Sequence, residues 1–235
     1  MEASVLPEDL PRWRRHLHPD GYAYGWLLVL ILTSLAFQLG APDEEWARVV
    51  TIALQSTTLL ASLHVSGAHR WLVRAASFAT VVAIAGTAGL FLARGEIGAV
   101  AARTVALMLV LLAPAAIAHG IVRQARAARA ITVRTMFGVL CVYLLLGMAF
   151  GFAYGVVSAA DDDVFFAQMR GGDQADFLYF SFTTLTTTGF GDLTAVDHLG
   201  RSLAVTEALI GQIYLVTVVA LIVSNLTRTR ARAAR

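Results

Sequence analysis

Residues 176–192 read DFLYFSFTTLTTTGFGD, and the other segments of the chain can be placed relative to this stretch. An aromatic run leads into a cluster of threonines, which is followed by two alternating glycines. Glycine adopts positive φ at little steric cost, so Gly189 and Gly191, alternating with Thr188 and Phe190, allow successive backbone carbonyls to point to the same side. The stretch therefore predicts a short helix followed by a strand-like segment whose oxygens could replace the water around a dehydrated monovalent cation.

The stretch resembles the pore helix and selectivity filter of the potassium-channel superfamily, whose common form TTVGYGD reads TTTGFGD here. The resemblance continues through Gly200 and Arg201 as far as Gly211. Two positions depart from the common form, since Thr188 stands where valine is usual and Phe190 where tyrosine is usual.

The resemblance implies a filter through which K⁺ passes as the permeant ion, with no other cofactor. The implied filter residues are Thr187, Thr188, Gly189, Phe190 and Gly191. The first four of these would coordinate K⁺ through backbone oxygens, and the Thr187 hydroxyl would add one more ring of oxygens below the carbonyls. The chain holds a single filter segment and supplies only part of such a ring, so we expect a homotetramer about a central axis.

The composition indicates an integral membrane protein, because 57% of the 235 residues are hydrophobic and only 14% are charged. The single cysteine, Cys141, excludes an intrachain disulfide. No pattern resembles a metal site, a catalytic triad or a phosphate-binding loop, so the sequence predicts neither an enzyme nor a nucleic-acid-binding protein.

Six apolar segments are long enough to cross a membrane. They lie at 22–38, 46–63, 73–93, 99–122, 135–157 and 202–226. The predicted fold class is therefore an all-α membrane protein with six transmembrane helices, and with a re-entrant pore helix and filter between helices five and six.

The distribution of arginine predicts the orientation. If the filter faces outward, thirteen of the eighteen arginines fall in inner segments, where basic residues are expected to concentrate. We expect a multi-pass protein of the cell membrane with both termini in the cytoplasm. The predicted parts are a cytoplasmic N-terminal segment (1–21), a sensor-like four-helix domain (22–122), a basic linker helix (123–134), a pore domain (135–226) and a basic cytoplasmic tail (227–235).

Arg123, Arg126 and Arg129 recur at every third residue, as the gating arginines of a voltage sensor do. They follow a long apolar segment, and the predicted interiors of the first three helices contain no acidic countercharge. We therefore favour a basic linker helix on the inner membrane surface, which would contact anionic lipids together with the C-terminal arginines. Arg103, near the outer end of the fourth span, is expected to extend towards the interface.

Several residues are expected to support the filter. The resemblance implies that Asp192 bonds back to the pore helix, with Tyr179 as the expected partner and Thr183 as the second candidate. Glu207 lies in an apolar run, where an ionisable group is functional or paired. We expect it to brace the pore helix near Thr183 or Thr184, and a proton sensor is the alternative.

The fifth and sixth spans carry further candidate positions. Gly147, Gly151 and Gly155 recur every four residues, and we expect them to pack closely against the sixth span of the same or a neighbouring subunit. Gly211 matches the family's hinge glycine, and a packing glycine is the alternative. Steps of three or four residues along the last helix predict an inner pore lining made of Gln212, Leu215, Val219 and Val223.

Two other functions remain open. Thr188 could change how the filter is braced from behind, which would give a weakly selective monovalent cation channel. A non-conducting structural or regulatory subunit is the second alternative, although the intact filter glycines argue against it.

Overall fold

The computed structural model describes residues 23–42, 44–67, 73–74, 76–78, 80–82, 85–86, 99–128, 133–160 and 164–233. Six continuous helices lie in these ranges. They are α1 (Ala23–Gly40), α2 (Glu45–Ser66), α3 (Ala99–Ala128), α4 (Val133–Ala160), α5 (Gln174–Leu185) and α6 (His198–Ala233). The described residues contain no strand longer than an isolated bridge, of which there are two, both involving Phe166.

Four of these helices contain segments that are long and apolar enough to cross a membrane. The segments are Ala23–Gly40, Glu45–Ser66, Ala102–His119 and Met136–Ala159. The predicted third span, 73–93, lies partly outside the described residues, and its described residues are helical. The last helix, α6, has 36 residues, and its length of about 54 Å exceeds the roughly 30 Å of a bilayer core.

The connection between α3 and α4 differs from the predicted linker helix at 123–134. Helix α3 continues through Ala128 and α4 already begins at Val133. Because residues 123–128 extend the apolar helix that precedes them, they form no separate element. Arg129 lies outside the described residues, as do the N-terminal segment 1–21 and the side chains of Arg123, Arg126 and the C-terminal arginines.

One hydrophobic core joins the first helices to the helices that carry the filter stretch. It contains Tyr24 and Ile31 of α1, Ile52 of α2, Val110 of α3 and Phe152 of α4, all at most 1% exposed. The core reaches α5 through Leu178. Helices α1 and α3 therefore pack on α4 of their own chain, α1 also contacts α5, and α2 packs on α1 and α3.

Helix α5 begins at a capping box formed by two aspartates. The Asp173 carboxylate accepts a hydrogen bond from the Asp176 amide at 2.9 Å, and the Asp176 carboxylate accepts one from the Asp173 amide at 3.0 Å. These bonds satisfy amides that a helix N-terminus leaves without partners. The start of α5, and with it the register of the filter stretch, is therefore set locally.

The small residues of α4 allow α5 to approach closely. A Cβ at Gly147 would lie 2.8 Å from the Phe182 ring, and one at Gly151 would lie 2.7 Å from Leu178 Cδ2. The prediction that these glycines face the sixth span is wrong within the single chain. They face the short helix instead, because α5 lies in the groove that the missing side chains leave on α4.

Candidate functional site

The segment after α5 alternates between left-handed and ordinary backbone. Thr187 has φ of 57°, Gly189 of 53° and Gly191 of 79°, and the intervening Thr188 and Phe190 have negative φ. The left-handed conformation predicted as accessible to the two glycines is confirmed. Thr187 was missed, because a β-branched residue is the last type expected at positive φ. The alternation thus starts one step earlier than the glycines indicate.

The amides of this segment point back to α5. Thr183 O accepts hydrogen bonds from Thr188 N at 2.9 Å and from Gly189 N at 3.1 Å, and Thr184 O accepts one from Thr187 N at 2.9 Å. Within the described part of the chain, the carbonyl oxygens of residues 187–190 accept no hydrogen bond. These residues are also exposed in the single chain. Their carbonyl oxygens are therefore available to another ligand.

A tyrosine and an aspartate brace the C-terminal end of the segment. Tyr179 Oη donates a hydrogen bond to Asp192 Oδ2 at 2.6 Å. The Tyr179 ring also lies parallel to the Phe190 ring, with centroids 6.4 Å apart and planes at 7°. Thr183, the second candidate partner, instead donates its hydroxyl to Phe180 O at 3.0 Å. Thr183 supports the segment through its carbonyl rather than through its side chain.

Thr188 has a hydroxyl partner where the usual valine would have none. Thr186 Oγ1 lies 2.7 Å from Phe182 O and 2.9 Å from Thr188 Oγ1. Since Thr186 has one hydroxyl proton, it donates to the carbonyl and accepts from Thr188. This side-chain contact is an additional tie between the segment and the end of α5.

Gly211 of α6 lies against the carboxyl end of α5. A Cβ at this position would overlap with the carbonyl oxygen of Leu185 and would lie 3.0 Å from Leu185 Cδ1. The same carbonyl accepts a hydrogen bond from Tyr143 Oη of α4 at 3.2 Å. The structure thus gives Gly211 the close contact expected of a packing glycine.

Glu207 of α6 is completely buried and contacts both other helices of this region. Its Oε1 lies 2.5 Å from Ser181 Oγ of α5, and its Oε2 accepts a hydrogen bond from Tyr154 Oη of α4 at 2.5 Å. The predicted brace to α5 is present, but the expected partners Thr183 and Thr184 are wrong. Ser181 is two or three residues earlier on α5 and therefore faces a different direction.

The loop before α5 contributes an aromatic cluster that sequence reasoning missed. The cluster contains Tyr154, Phe165, Phe166, Phe177 and Phe180, all at most 7% exposed. The loop backbone also pairs with the segment after the glycines, since Ala167 N donates to Thr194 O and Val196 N donates to Phe165 O, each at 3.0 Å. A pair of adjacent phenylalanines outside the apolar spans was the available signal. These contacts fix the loop before α5 against the segment that follows the glycines.

Arg103 of α3 is held by two backbone carbonyls and an aromatic ring. Its guanidinium donates to Gly155 O at 3.2 Å and to Gly172 O at 3.3 Å, and it lies 5.2 Å from the centroid of the Phe177 ring. These contacts tie α3 to α4 and to the residues just before α5.

The predicted inner lining is only partly described. Gln212 and Leu215 are exposed on α6. The side chains of Val219 and Val223 lie outside the part of the chain whose side chains the structure describes. Exposure of the first two is compatible with a face that points to a pore or to another subunit.

Comparison with known protein families finds a match in the same region of the chain. Residues 138–228 match a family model described as ion channel. The match covers less than half of the chain and includes nearly all of α4, α5, the left-handed segment and most of α6. It supports an ion channel function and a multi-pass membrane protein. No curated protein matches the chain.

Proposed function

We propose that this protein is a potassium-selective channel subunit that conducts K⁺ passively as a homotetramer. The alternation of left-handed residues at Thr187, Gly189 and Gly191 carries the proposal. It turns a run of unbonded backbone oxygens to one side, and such a run can replace the hydration shell of K⁺. No enzymatic step and no further cofactor are part of this function.

The proposed K⁺ ligands are the carbonyl oxygens of Thr187, Thr188, Gly189 and Phe190, together with the Thr187 hydroxyl. Gly191 completes the filter at its outer end. The amides of this segment are tied to Thr183 and Thr184 carbonyls, which supports a filter whose oxygens are oriented before an ion arrives. Tyr179 and Asp192 would hold the outer mouth.

The homotetramer follows from the incompleteness of the single chain. One chain supplies one row of oxygens, and closed cyclic symmetry would place four identical rows around an axis. Exposed apolar residues on α6 support a further subunit contact, since Val205, Leu209, Ile213 and Val216 are each 59–64% exposed. The packing of α1 and α3 on α4 of the same chain suggests that each four-helix domain stays beside its own subunit's pore.

The same proposal includes the membrane topology, the lining of the inner pore and the role of the arginines. The membrane is crossed six times with both termini in the cytoplasm. Gln212, Leu215, Val219 and Val223 line the inner pore, and Gly211 is the candidate hinge. Arg123, Arg126, Arg129 and the C-terminal arginines contact anionic lipid headgroups rather than act as a voltage sensor.

Recording from purified protein in planar bilayers, with potassium on one side and sodium on the other, tests this function. We expect a reversal potential near that of a potassium-selective pore and little dependence on voltage. Equal permeability for the two ions would contradict potassium selectivity. The absence of any current from purified homotetramers would favour the non-conducting subunit, and steep voltage dependence would identify Arg123, Arg126 and Arg129 as sensor charges.

A weakly selective cation channel is the second candidate, and the contact between the Thr186 and Thr188 hydroxyls favours it. Valine at position 188 would remove the Thr188 hydroxyl and its contact with Thr186. The ratio of rubidium flux to sodium flux separates the two candidates. A weakly selective channel should give a low ratio, and Thr188→Val should raise it.

The outer brace makes a specific prediction. Tyr179→Phe removes a 2.6 Å hydrogen bond to the Asp192 carboxylate, and hydrogen bonds to an ionised group are among the stronger ones. Because this bond holds the end of the proposed filter, we expect the lifetime of the conducting filter to fall by about tenfold. Single-channel open times measure this effect.

The control for this prediction is Tyr214→Phe. This change removes a hydrogen bond of the same length from Tyr214 Oη to Val139 O, which joins α6 to α4. It should leave open times within about twofold of the native value, because this bond joins α6 to α4 and involves no residue of the proposed filter or of its outer brace. If Tyr179→Phe and Asp192→Asn combine additively in the double variant, the two residues do not act through their mutual bond.

A further inference from the structure

The contacts of Glu207 form a closed group of four oxygen-bearing residues. Ser181 Oγ lies 2.6 Å from Gly147 O of α4 and 2.5 Å from Glu207 Oε1 of α6. Tyr154 Oη lies 2.5 Å from Glu207 Oε2. The side chains of Tyr154, Ser181 and Glu207 are all 0% exposed. The group therefore lies where α4, α5 and α6 meet, away from solvent.

The number of hydrogens in this group determines the protonation state. Three oxygen–oxygen contacts of this length each need one proton, because two lone pairs at that distance repel. Tyr154 supplies one proton and Ser181 supplies one. The Gly147 carbonyl can only accept. The third proton has to be carried by Glu207, which then donates to Ser181, while Ser181 donates to Gly147 O.

An ionised Glu207 leaves this count one proton short. If Ser181 donates to the carboxylate, the Gly147 carbonyl faces a hydroxyl oxygen at 2.6 Å without a proton between them. If Ser181 donates to Gly147, the carboxylate faces that hydroxyl oxygen at 2.5 Å. Either arrangement places two acceptors in contact in a buried site, where an unpaired acceptor is costly.

Among the residues that the structure describes, the surroundings of Glu207 also supply no countercharge. Glu207 forms no ion pair with any residue in the described ranges. The titratable groups that face it from α4 are Tyr143 and Tyr154. Asp176 lies at the start of α5, and Arg103 is directed at the Gly155 and Gly172 carbonyls. A buried carboxylate without a cation is unfavourable in a membrane protein.

We propose that Glu207 is a neutral carboxylic acid that donates a hydrogen bond to Ser181 and thereby fixes the inner helix α6 to α5 and α4. It is a positioning residue, since it touches no proposed K⁺ ligand. Its effect on the filter passes through α5, whose Thr183 carbonyl holds the amides of Thr188 and Gly189. Only this effect on conduction rests on the proposed channel function, and the protonation state does not.

Infrared difference spectra of purified protein test the protonation state at neutral pH. Native protein minus Glu207→Gln should show the carbonyl stretch of a protonated carboxyl group. Ser181→Ala should shift that band, because the acceptor of its proton is lost. Thr184→Ala is the matched control and should leave the band unchanged, since Thr184 contacts Glu207 through no hydrogen bond. A difference spectrum with carboxylate bands and no protonated band would overturn the proposal.

Potassium flux into vesicles then tests the positioning role. Glutamine can donate to Ser181 and accept from Tyr154, so Glu207→Gln should retain flux within about twofold, whereas Glu207→Ala should lose about tenfold or more. If Glu207→Ala does not fold, Ser181→Ala takes its place in the comparison with Glu207→Gln. It removes the acceptor of the same hydrogen bond and should lower the flux in the same way. Equal losses in the glutamine and alanine variants would contradict a neutral hydrogen-bonding role. If native protein conducts no K⁺, the proposed function fails while the infrared result still decides the protonation state.

Discussion

Alanine at position 189 is expected to abolish potassium flux while leaving the protein folded. Gly189 has φ of 53°, where an L-residue costs roughly 1–2 kcal/mol. A Cβ there would meet no heavy atom within 4 Å, so the cost comes from the backbone alone. In a homotetramer four copies together would cost roughly 4–8 kcal/mol.

This strain is relieved if the peptide turns to negative φ, which would move a carbonyl oxygen away from the ion path. Because about 2.8 kcal/mol already corresponds to a hundredfold, we expect Gly189→Ala to lower K⁺ flux into vesicles by about a hundredfold or more. Size-exclusion chromatography and thermal unfolding should still show an assembled protein.

The matched control is Gly171→Ala in the outer loop. Gly171 has φ of 72°, and a Cβ there would also meet nothing within 4 Å. The substitution therefore causes the same kind of strain at a position outside the proposed filter. Its stability cost should resemble that of Gly189→Ala, with flux unchanged. Equal flux in the two variants would mean that the left-handed conformation at Gly189 does not serve conduction.

Gly211→Ala is expected to have the second large effect, and through packing rather than backbone conformation. The new Cβ would overlap with the Leu185 carbonyl oxygen, which cannot move as freely as the end of a flexible side chain. Overpacking of this kind typically costs roughly 1–3 kcal/mol. The end of α5 directly precedes the filter, so displacing Leu185 should lower both the thermal midpoint and the K⁺ flux.

Gly25→Ala is the control for this substitution. Gly25 lies inside α1, and a Cβ there would meet nothing within 4 Å. Alanine should therefore be neutral or stabilise the helix by roughly 0.5–1 kcal/mol. A variant Gly211→Ala that unfolds like the native protein, but opens less often, would instead identify Gly211 as a hinge.

The sequence determined those features that depend on residue type within a short segment. The hydrophobic runs predicted α1, α2 and parts of α3, α4 and α6, because a membrane-spanning helix needs only length and apolar side chains. The glycines at 189 and 191 predicted left-handed backbone because other residue types are disfavoured there. The contact between Tyr179 and Asp192 followed from the resemblance, since both residues belong to the same compact motif.

The tertiary structure decided which side chains meet across helices. One residue along a helix rotates the side chain by about 100°, so sequence spacing alone did not place Ser181, rather than Thr183, against Glu207. For the same reason, the spacing of Gly147 and Gly151 on α4 did not show that these glycines face α5 of the same chain. The aromatic loop around Phe165 and the carbonyl partners of Arg103 depend on contacts between segments far apart in the chain. Thr187 at positive φ is held by hydrogen bonds to the end of α5, which its residue type did not predict. Residue type determined the backbone of the candidate site locally, and only three-dimensional packing decided which helices hold it in place.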